Sequence, residues 1–185
     1  MAAHTFALQP FEGEGDPRWG GVRLEGSLER QAALLQVRIV LHGDSSGPEA
    51  AVVWPGAGPA PRRRDGLWQH SCLEWFVAAP EQERYWEFNL SPGGDWNVYQ
   101  LEGYRRGLQP DPQYDALPFR TITSRHGIGV ELSCPLPAAV AQLQPLQLAV
   151  TAVLQHREGG LSYWALHHGG PEPDFHRRDG FRLRI

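Results

Sequence analysis

The chain has 185 residues, of which 41% are hydrophobic and 21% are charged, a composition typical of a folded protein with a buried core rather than of a disordered chain. This length favours one domain, and we expect a single domain over residues 1–185. The formal net charge of −4 argues against a nucleic-acid partner or an anionic membrane surface. No apolar segment approaches the length needed to cross a bilayer.

The N-terminal segment, residues 1–19, has neither a basic start nor a continuous apolar stretch, so it does not resemble a secretory signal peptide. We therefore expect an irregular segment there and a cytoplasmic protein. Cys72 and Cys134 lie inside apolar runs, which favours buried thiols over a disulfide or a metal site. The strongly specific catalytic and nucleotide-binding motifs are absent from the sequence. We accordingly expect no metal and no cofactor.

Short runs rich in aromatic, β-branched and leucine residues alternate with turn residues along the chain, which contains 21 glycines and 16 prolines. This spacing predicts an all-β protein, either a sandwich or a barrel. In chain order the predicted strands are Gly21 to Ser27, Leu35 to Leu41, Ala50 to Trp54, Ser71 to Ala78, Arg84 to Ser91, Asp95 to Glu102, Phe119 to Ser124, Ile128 to Ser133, Leu146 to Gln155, Leu161 to His168 and Phe181 to Ile185. Only Pro137 to Leu143 predicts a helix, of one or two turns.

The strands at 71–78 and 84–91 carry the most informative pattern. Alternation places six apolar side chains on one face, which we expect to pack in the core: Leu73, Trp75, Val77, Trp86, Phe88 and Leu90. The opposite face then carries Glu74, Glu87 and Asn89. If residues 79–83 form the hairpin loop, Glu74 lies directly across from Glu87 or diagonal to it. Two carboxylates this close need a proton, a cation, a polar ligand or exposure to water.

The default interpretation of such a charged strand face is that it is exposed to solvent, but the neighbouring residues favour a ligand-binding site. The same region of the chain contains aromatic surfaces and a cation: Tyr85, Trp96, Tyr104 and Arg105. Trp68 and Trp96 lie next to predicted turns, where an indole can be partly exposed, whereas Trp75, Trp86 and Trp164 are predicted to pack in the core. Aromatic surfaces with a few hydrogen-bonding groups are suited to a polar ring such as a sugar.

The C-terminal region offers histidines and acids as a second candidate site. His167 and His168 are adjacent, so in a strand only one of them can face a site that also contains His176. A zinc site from one of these histidines, His176 and Asp174 is chemically possible, but the spacing matches no structural zinc pattern. The alternative, which we favour, is that Asp174 and His176 brace the loop by hydrogen bonds to the backbone.

Three segments, residues 67–76, 85–107 and 163–181, together resemble the DOMON-like proteins related to family 9 carbohydrate-binding modules. Their sequences are LWQHSCLEWF, YWEFNLSPGGDWNVYQLEGYRRG and YWALHHGGPEPDFHRRDGF, and the resemblance spans roughly residues 20–185. It implies a two-sheet antiparallel β-sandwich of the immunoglobulin-like or jelly-roll type. It also implies binding of a sugar or haem on one sheet face.

Carried over to this chain, the resemblance implies a ligand side formed by Glu74, Glu87, Asn89 and Trp96, with Tyr104, Arg105, His168 and His176 nearby. We add Trp68 to this predicted ligand side because it lies beside a predicted turn, where its indole can be partly exposed. Met1 is the only methionine, which argues against the Met-ligated haem of some members. Bis-histidine ligation through His70, His168 or His176 stays open.

Three functions follow from these observations. The first, which we favour, is a non-catalytic binding module for a small sugar-like ligand, held by tryptophan stacking and by hydrogen bonds from Glu, Asn and Arg side chains. The second is an enzyme that uses Glu74 and Glu87 as acid and base on a glycoside or related metabolite. The third is a haem or tetrapyrrole carrier. The composition does not indicate an oligomeric state.

Overall fold

Short antiparallel strands make up the fold, as the spacing of glycine and proline predicts. The structure is a computed structural model that describes residues 3–11, 17–44, 46–56, 58, 60–125 and 127–185. The strands within these residues are β1 (His4–Pro10), β2 (Arg23–Gln31), β3 (Leu34–His42), β4 (Cys72–Ala78), β5 (Tyr85–Leu90), β6 (Trp96–Leu101), β7 (Gln109–Pro110), β8 (Phe119–Ser124), β9 (Gly127–Pro135), β10 (Gln147–Gln155), β11 (Leu161–Ala165) and β12 (Leu183–Arg184). The helical elements in this part of the chain are single 3-10 turns at Pro17–Trp19, Pro48–Ala50, Leu67–Gln69 and Arg178–Gly180. None of its helices is long and apolar enough to span a membrane.

The strands form a sandwich of two antiparallel layers. The front sheet has the order β7-β6-β5-β4-β10-β11, with β12 paired to β10, and the back sheet has the order β1-β2-β3-β9-β8. Strand β1 belongs to both layers, because His4 to Leu8 pair with β2 while Gln9 and Pro10 pair with β11. The two sheets are therefore joined along one side by a single strand.

One hydrophobic core fills the space between the sheets. The six apolar side chains predicted to face inward from β4 and β5 all lie in it, together with Val37 and Ile39 of β3 and Val150 of β10. Trp75 and Phe88 stack at 5.1 Å between ring centroids. Both cysteines are free and buried, as predicted, and Cys134 lies in this core. Period-two alternation in the strands is thus enough to assign the inner face.

The structure corrects three predicted elements. Residues 4–10 form strand β1 rather than an irregular segment, because Phe6 and Leu8 contact the core once β2 and β11 flank them. Pro137 to Leu143 is a turn without a helix, in which the N–H of Ala141 donates to the carbonyl of Pro137. The stretch from Ala50 to Trp54 contributes one isolated bridge, Val52 with His156, since prolines follow it immediately.

A second hydrophobic cluster covers the outer face of the front sheet. The segment after β11, residues 169–182, crosses this face, and we call it the C-terminal strap. Phe181 of the strap packs against Phe76 at 5.8 Å and Tyr85 at 6.0 Å between ring centroids. All residues of β4 and β5 are consequently buried. The interpretation of this face as a solvated surface is wrong for that reason.

Candidate ligand-binding site

Three neighbouring strands place two carboxyl groups on the outer face of the front sheet. In the β4–β5 hairpin Glu74 pairs with Asn89, and Phe76 pairs with Glu87. Glu74 and Glu87 are therefore diagonal neighbours, one of the two arrangements that alternation allows. On the other side of β4, Thr151 of β10 lies opposite Glu74.

Each carboxyl group has one satisfied oxygen and one free oxygen. Glu74 Oε2 accepts a hydrogen bond from the Thr151 hydroxyl at 3.3 Å, and Glu87 Oε1 accepts one from Asn89 Nδ2 at 2.8 Å. Glu74 Oε1 and Glu87 Oε2 have no hydrogen-bond partner among the described residues. The two residues are only 3% and 4% exposed. A buried polar atom without a partner is costly, so these oxygens are suited to a ligand that donates to them.

Burial raises the pKa of both acids. Desolvation has the largest effect on Glu74 and the negative charge of Glu87 adds to it, so the pKa of Glu74 rises well above its ordinary value. Desolvation raises the pKa of Glu87 to about 7, against the opposing effects of the Asn89 hydrogen bond and the Arg105 charge. A carboxyl group that titrates near neutral pH can both hold and release a proton under ordinary conditions.

Asp174 fastens the C-terminal strap above the acids. Its Oδ1 accepts hydrogen bonds from Arg105 Nη2 at 2.9 Å and from the backbone N–H of His176 at 3.1 Å, and its Oδ2 accepts one from the Tyr104 hydroxyl. The prediction that Asp174 and His176 both brace this loop through the backbone holds for Asp174, whereas the side chain of His176 bonds to the Tyr85 hydroxyl instead. Arg105 has a φ of 52°, a left-handed conformation that non-glycine residues rarely adopt. The turn before β7 thus directs a cation to the rim of the site.

His176 of the strap is held by Tyr85 and faces Glu87. The Tyr85 hydroxyl accepts from the backbone N–H of Arg105 at 3.3 Å, which leaves its own proton for His176 Nδ1 at 2.8 Å. This arrangement assigns the tautomer with hydrogen on Nε2, and Nε2 lies 3.9 Å from Glu87 Oε2. Burial, assisted by the Arg105 charge, lowers the pKa of His176 to about 4. The ring is neutral at neutral pH, with its N–H on the side of Glu87.

A cleft of about 360 Å³ opens over the acids between the sheet, the strap and the turn at Trp68. This volume lies toward the lower end of the ~300–1,000 Å³ that small-molecule sites occupy. Trp68 is 39% exposed and rests edge-on against Tyr99, at 6.2 Å between ring centroids. The cleft is therefore the right size for a small ligand and has an accessible aromatic wall.

The structure brings five of the nine sequence-predicted site residues to this cleft, namely Trp68, Glu74, Glu87, Arg105 and His176. Asn89 is fully buried and contributes indirectly, through its bond to Glu87. Tyr104 is 59% exposed and does not line the cleft, but it holds Asp174 of the strap.

Two predicted site residues lie elsewhere, and both predictions are wrong for identifiable reasons. Trp96 is 3% exposed because strand β6 begins at this residue and turns its side chain into the core, where Arg63 covers the indole at 4.5 Å. His168 follows the end of β11, where its Nε2 contacts the Gln9 carbonyl at 2.8 Å. It supports the junction of β1 and β11 instead of the cleft.

Six further residues line the cleft that the sequence did not single out: Leu101, Leu108, Val153, Tyr163, Pro173 and Phe175. Tyr163 and Val153 were recognisable as outer-face residues by alternation, because the residues next to them in their strands, Trp164, Ala152 and Leu154, face the core. Phe175 belongs to the strap and packs edge-on against Tyr163 at 6.2 Å. No local pattern indicates a strap crossing the sheet, so this wall was not predictable.

The described residues contain no cluster of three or more His, Cys, Asp or Glu side chains arranged to hold a metal ion. Within them, the histidines considered for haem are separated in the fold. His70 Nδ1 lies 3.2 Å from Gln155 Oε1, His168 contacts Gln9, and only His176 lines the cleft. The arrangement does not provide a pair of histidines facing each other across one site.

Together, the fold and this geometry define an all-β sandwich with an acidic, aromatic-lined cleft on one sheet. The fold is similar to that of a candidate carbohydrate-binding protein from Bacteroides uniformis, with a TM-score of 0.64 and 15% identity over 96% of this chain and 84% of that chain. At this identity the likeness shows the fold alone.

Two solved structures of a family 9 carbohydrate-binding module from Caldicellulosiruptor kristjanssonii, in complex with glucose and with cellotriose, are more distant. Both have a TM-score of 0.43, with 13% and 12% identity, and both alignments cover 78% of this chain and 66% or 65% of the module chain. No family model matches the sequence. No curated protein matches it either.

Proposed function

We propose that this protein is a binding module for a small carbohydrate-like ligand, which occupies the cleft over Glu74 and Glu87. The observation that carries the proposal is the pair of buried, unpartnered carboxyl oxygens, Glu74 Oε1 and Glu87 Oε2, at the floor of a cleft with an accessible tryptophan. A sugar combines hydroxyl donors with apolar ring faces, and this cleft offers acceptors and aromatic surfaces. The sandwich fold shared with a candidate carbohydrate-binding protein agrees with this proposal.

Each part of the cleft has a role in this proposal. The indole of Trp68 stacks on one face of the ring, while Phe175 and Tyr163 of the opposite wall exclude water from it. Hydroxyl groups of the ligand donate to the free oxygens of the two glutamates, and Arg105, already oriented by Asp174, donates to a ring or hydroxyl oxygen at the rim. The strap supplies one wall of the cleft and also keeps the floor dry.

Replacing Trp68 by alanine is expected to weaken sugar binding by about tenfold or more, because stacking on an accessible indole is lost while the core is untouched. Isothermal titration of wild type with a panel of mono- and disaccharides identifies the sugar that binds. Leu34→Ala is the matched control, since Leu34 is 45% exposed on the back sheet. A Trp68→Ala variant that binds the same sugar as tightly as wild type would contradict the proposed site, and the absence of binding to any sugar would contradict the function.

An acid–base enzyme is the second candidate, and one observation favours it. Glu87, with a pKa of about 7, faces a second carboxyl and a neutral histidine in one cleft. Paired carboxyl groups with separated pKa values are the usual machinery of glycoside cleavage.

Chromogenic glycosides test this second function. Turnover by wild type that is lost in Glu74→Gln and in Glu87→Gln, but kept in Glu81→Gln, would favour the enzyme over the binding module. Glu81 is a suitable control because it is exposed in the β4–β5 loop. We expect no turnover with any of these glycosides, because in the proposed binding module the two acids accept hydrogen bonds from ligand hydroxyl groups and transfer no proton to the glycosidic bond.

A further inference from the structure

The charges around the cleft are not balanced. Among the described residues that line it, the acids are Glu74 and Glu87 and the only permanent cation is Arg105, which is already paired with Asp174 at 2.9 Å. His176 is neutral because burial lowers its pKa to about 4. The Arg105 charge lowers the pKa of Glu87 from a distance, but among the described residues no cationic group donates a hydrogen bond to either free carboxyl oxygen.

Titratable residues that lie near the cleft without lining it add no positive charge to the two acids either. On the same two strands as the acids, Tyr85 of β5 bonds to His176, and the thiol of Cys72 in β4 stays protonated because burial raises its pKa well above the ordinary value. Asp65 is engaged by the hydroxyl of Tyr99 at 2.6 Å. Arg178 of the strap bonds to the Ala79 carbonyl and to Gln147, away from the acids.

The walls of the cleft also favour a cation. Trp68, Tyr163 and Phe175 present aromatic rings around the space above the glutamates. The negative face of an aromatic ring attracts an ammonium group, and rings combined with carboxylates are a recurrent arrangement for binding organic amines. A neutral hydroxyl group gains nothing from this electrostatic feature.

We propose that the ligand is an amino sugar, whose protonated amine binds between Glu74 Oε1 and Glu87 Oε2 while its ring lies against Trp68. This inference rests on the proposed function and specifies its ligand class. On binding, the ammonium donates to the two free oxygens and takes the place of the proton that the acid pair holds. The carboxyl O–H bond breaks as that proton passes to water or buffer, and no bond between heavy atoms is formed or broken.

Isothermal titration with matched sugars tests the inference: glucosamine against glucose, galactosamine against galactose, and mannosamine against mannose. For at least one pair at about pH 7 we expect the amino sugar to bind tenfold or more tightly than its neutral counterpart, because a charge-assisted hydrogen bond replaces a neutral one. Repeating the titration in buffers of different ionisation enthalpy is expected to reveal release of a proton. The N-acetylated form of the preferred sugar, which lacks the charge, is expected to lose the advantage.

Variants separate the amine subsite from the rest of the cleft. Glu87→Gln is expected to remove the preference for the amino sugar, whereas Glu81→Gln, in the exposed hairpin loop, is expected to keep it. Equal affinity for the amino and neutral sugars would overturn the inference and leave the proposed function standing. Equal affinity for glucosamine and for a simple amine such as propylamine would instead keep the amine subsite and overturn the carbohydrate proposal. No binding to any of these compounds would overturn both.

Discussion

Glu87→Gln is expected to raise the free energy of unfolding at about pH 8 by ~2–3 kcal/mol while it weakens ligand binding. A shift of the carboxyl pKa from 4.5 to about 7 means that folding makes ionisation of Glu87 less favourable. Glutamine keeps the acceptor for Asn89 Nδ2 and carries no charge that must be desolvated. The ionisable carboxyl group of Glu87 therefore lowers the stability of the folded protein, as groups in functional sites often do.

The sign of the pH dependence follows from the protons bound in each state. Between about pH 4.5 and pH 7 the folded protein mostly keeps the Glu87 proton and the unfolded chain has mostly lost it, so the free energy of unfolding falls as pH rises, by on the order of 1 kcal/mol per pH unit. Glu74 has a raised pKa as well and acts in the same direction. His176 acts in the opposite direction. Burial lowers its pKa from the ordinary value of 6.5 to about 4, so the free energy of unfolding falls as the pH falls from about 6.5 toward 4.

Urea denaturation of wild type and Glu87→Gln at about pH 5, 6.5 and 8 measures this effect. The free energy of unfolding of the variant is expected to exceed that of wild type by an amount that increases from the lowest to the highest pH. His176 is present in both proteins, so its contribution cancels in this difference. Glu81→Gln, an exposed change in the same hairpin, is expected to stay within ~0.5 kcal/mol of wild type at every pH. A variant less stable than wild type at about pH 8 would mean that the Glu87 carboxylate is stabilised in the folded protein.

Arg63→Met is expected to destabilise the protein by ~2–4 kcal/mol, since several buried acceptors lose a charged donor. Arg63 Nη1 donates to Asn97 Oδ1 at 3.0 Å, and Nη2 donates to the Asp111 carbonyl at 3.1 Å and to the Tyr114 carbonyl. The guanidinium also covers the Trp96 indole at 4.5 Å. One side chain thus links the loop before β4, strand β6 and the chain after β7.

Arg62→Met is the control for this variant, because the neighbouring side chain is exposed and carries the same charge. It is expected to change the free energy of unfolding by less than ~0.5 kcal/mol, as measured by urea denaturation at one pH. Equal effects of the two substitutions would show that the contacts of Arg63 contribute no more than a surface charge.

Much of the floor of the cleft was predictable from local sequence. Alternation assigned the inward face of β4 and β5 and therefore placed Glu74, Glu87 and Asn89 together on the outer face. It could not give the register, which decides that Glu74 pairs with Asn89 rather than with Glu87. Register depends on the length and conformation of the hairpin loop, and loops of this length allow more than one pairing.

Local sequence did not predict three features correctly: the position of Trp96, the position of His168 and the existence of the first strand. A tryptophan after a turn can point either way, and Trp96 points inward because β6 begins at that residue and Arg63 covers it. His168 was assigned to the ligand side, but β11 ends before it and β1 supplies its partner from the other end of the chain. The same long-range pairing makes residues 4–10 a strand.

The sequence by itself determined the fold class, the core face of the central strands and the presence of two acids on one wall, because side chains of an extended chain alternate regardless of their surroundings. Tertiary structure alone decided that this wall is buried, that His176 and Phe175 lie over it and that Arg63, not Arg62, is an internal contact. These features depend on segments far apart in the chain. The strap that excludes water from Glu74 and Glu87 follows them by some hundred residues, and no periodicity within either segment encodes that meeting.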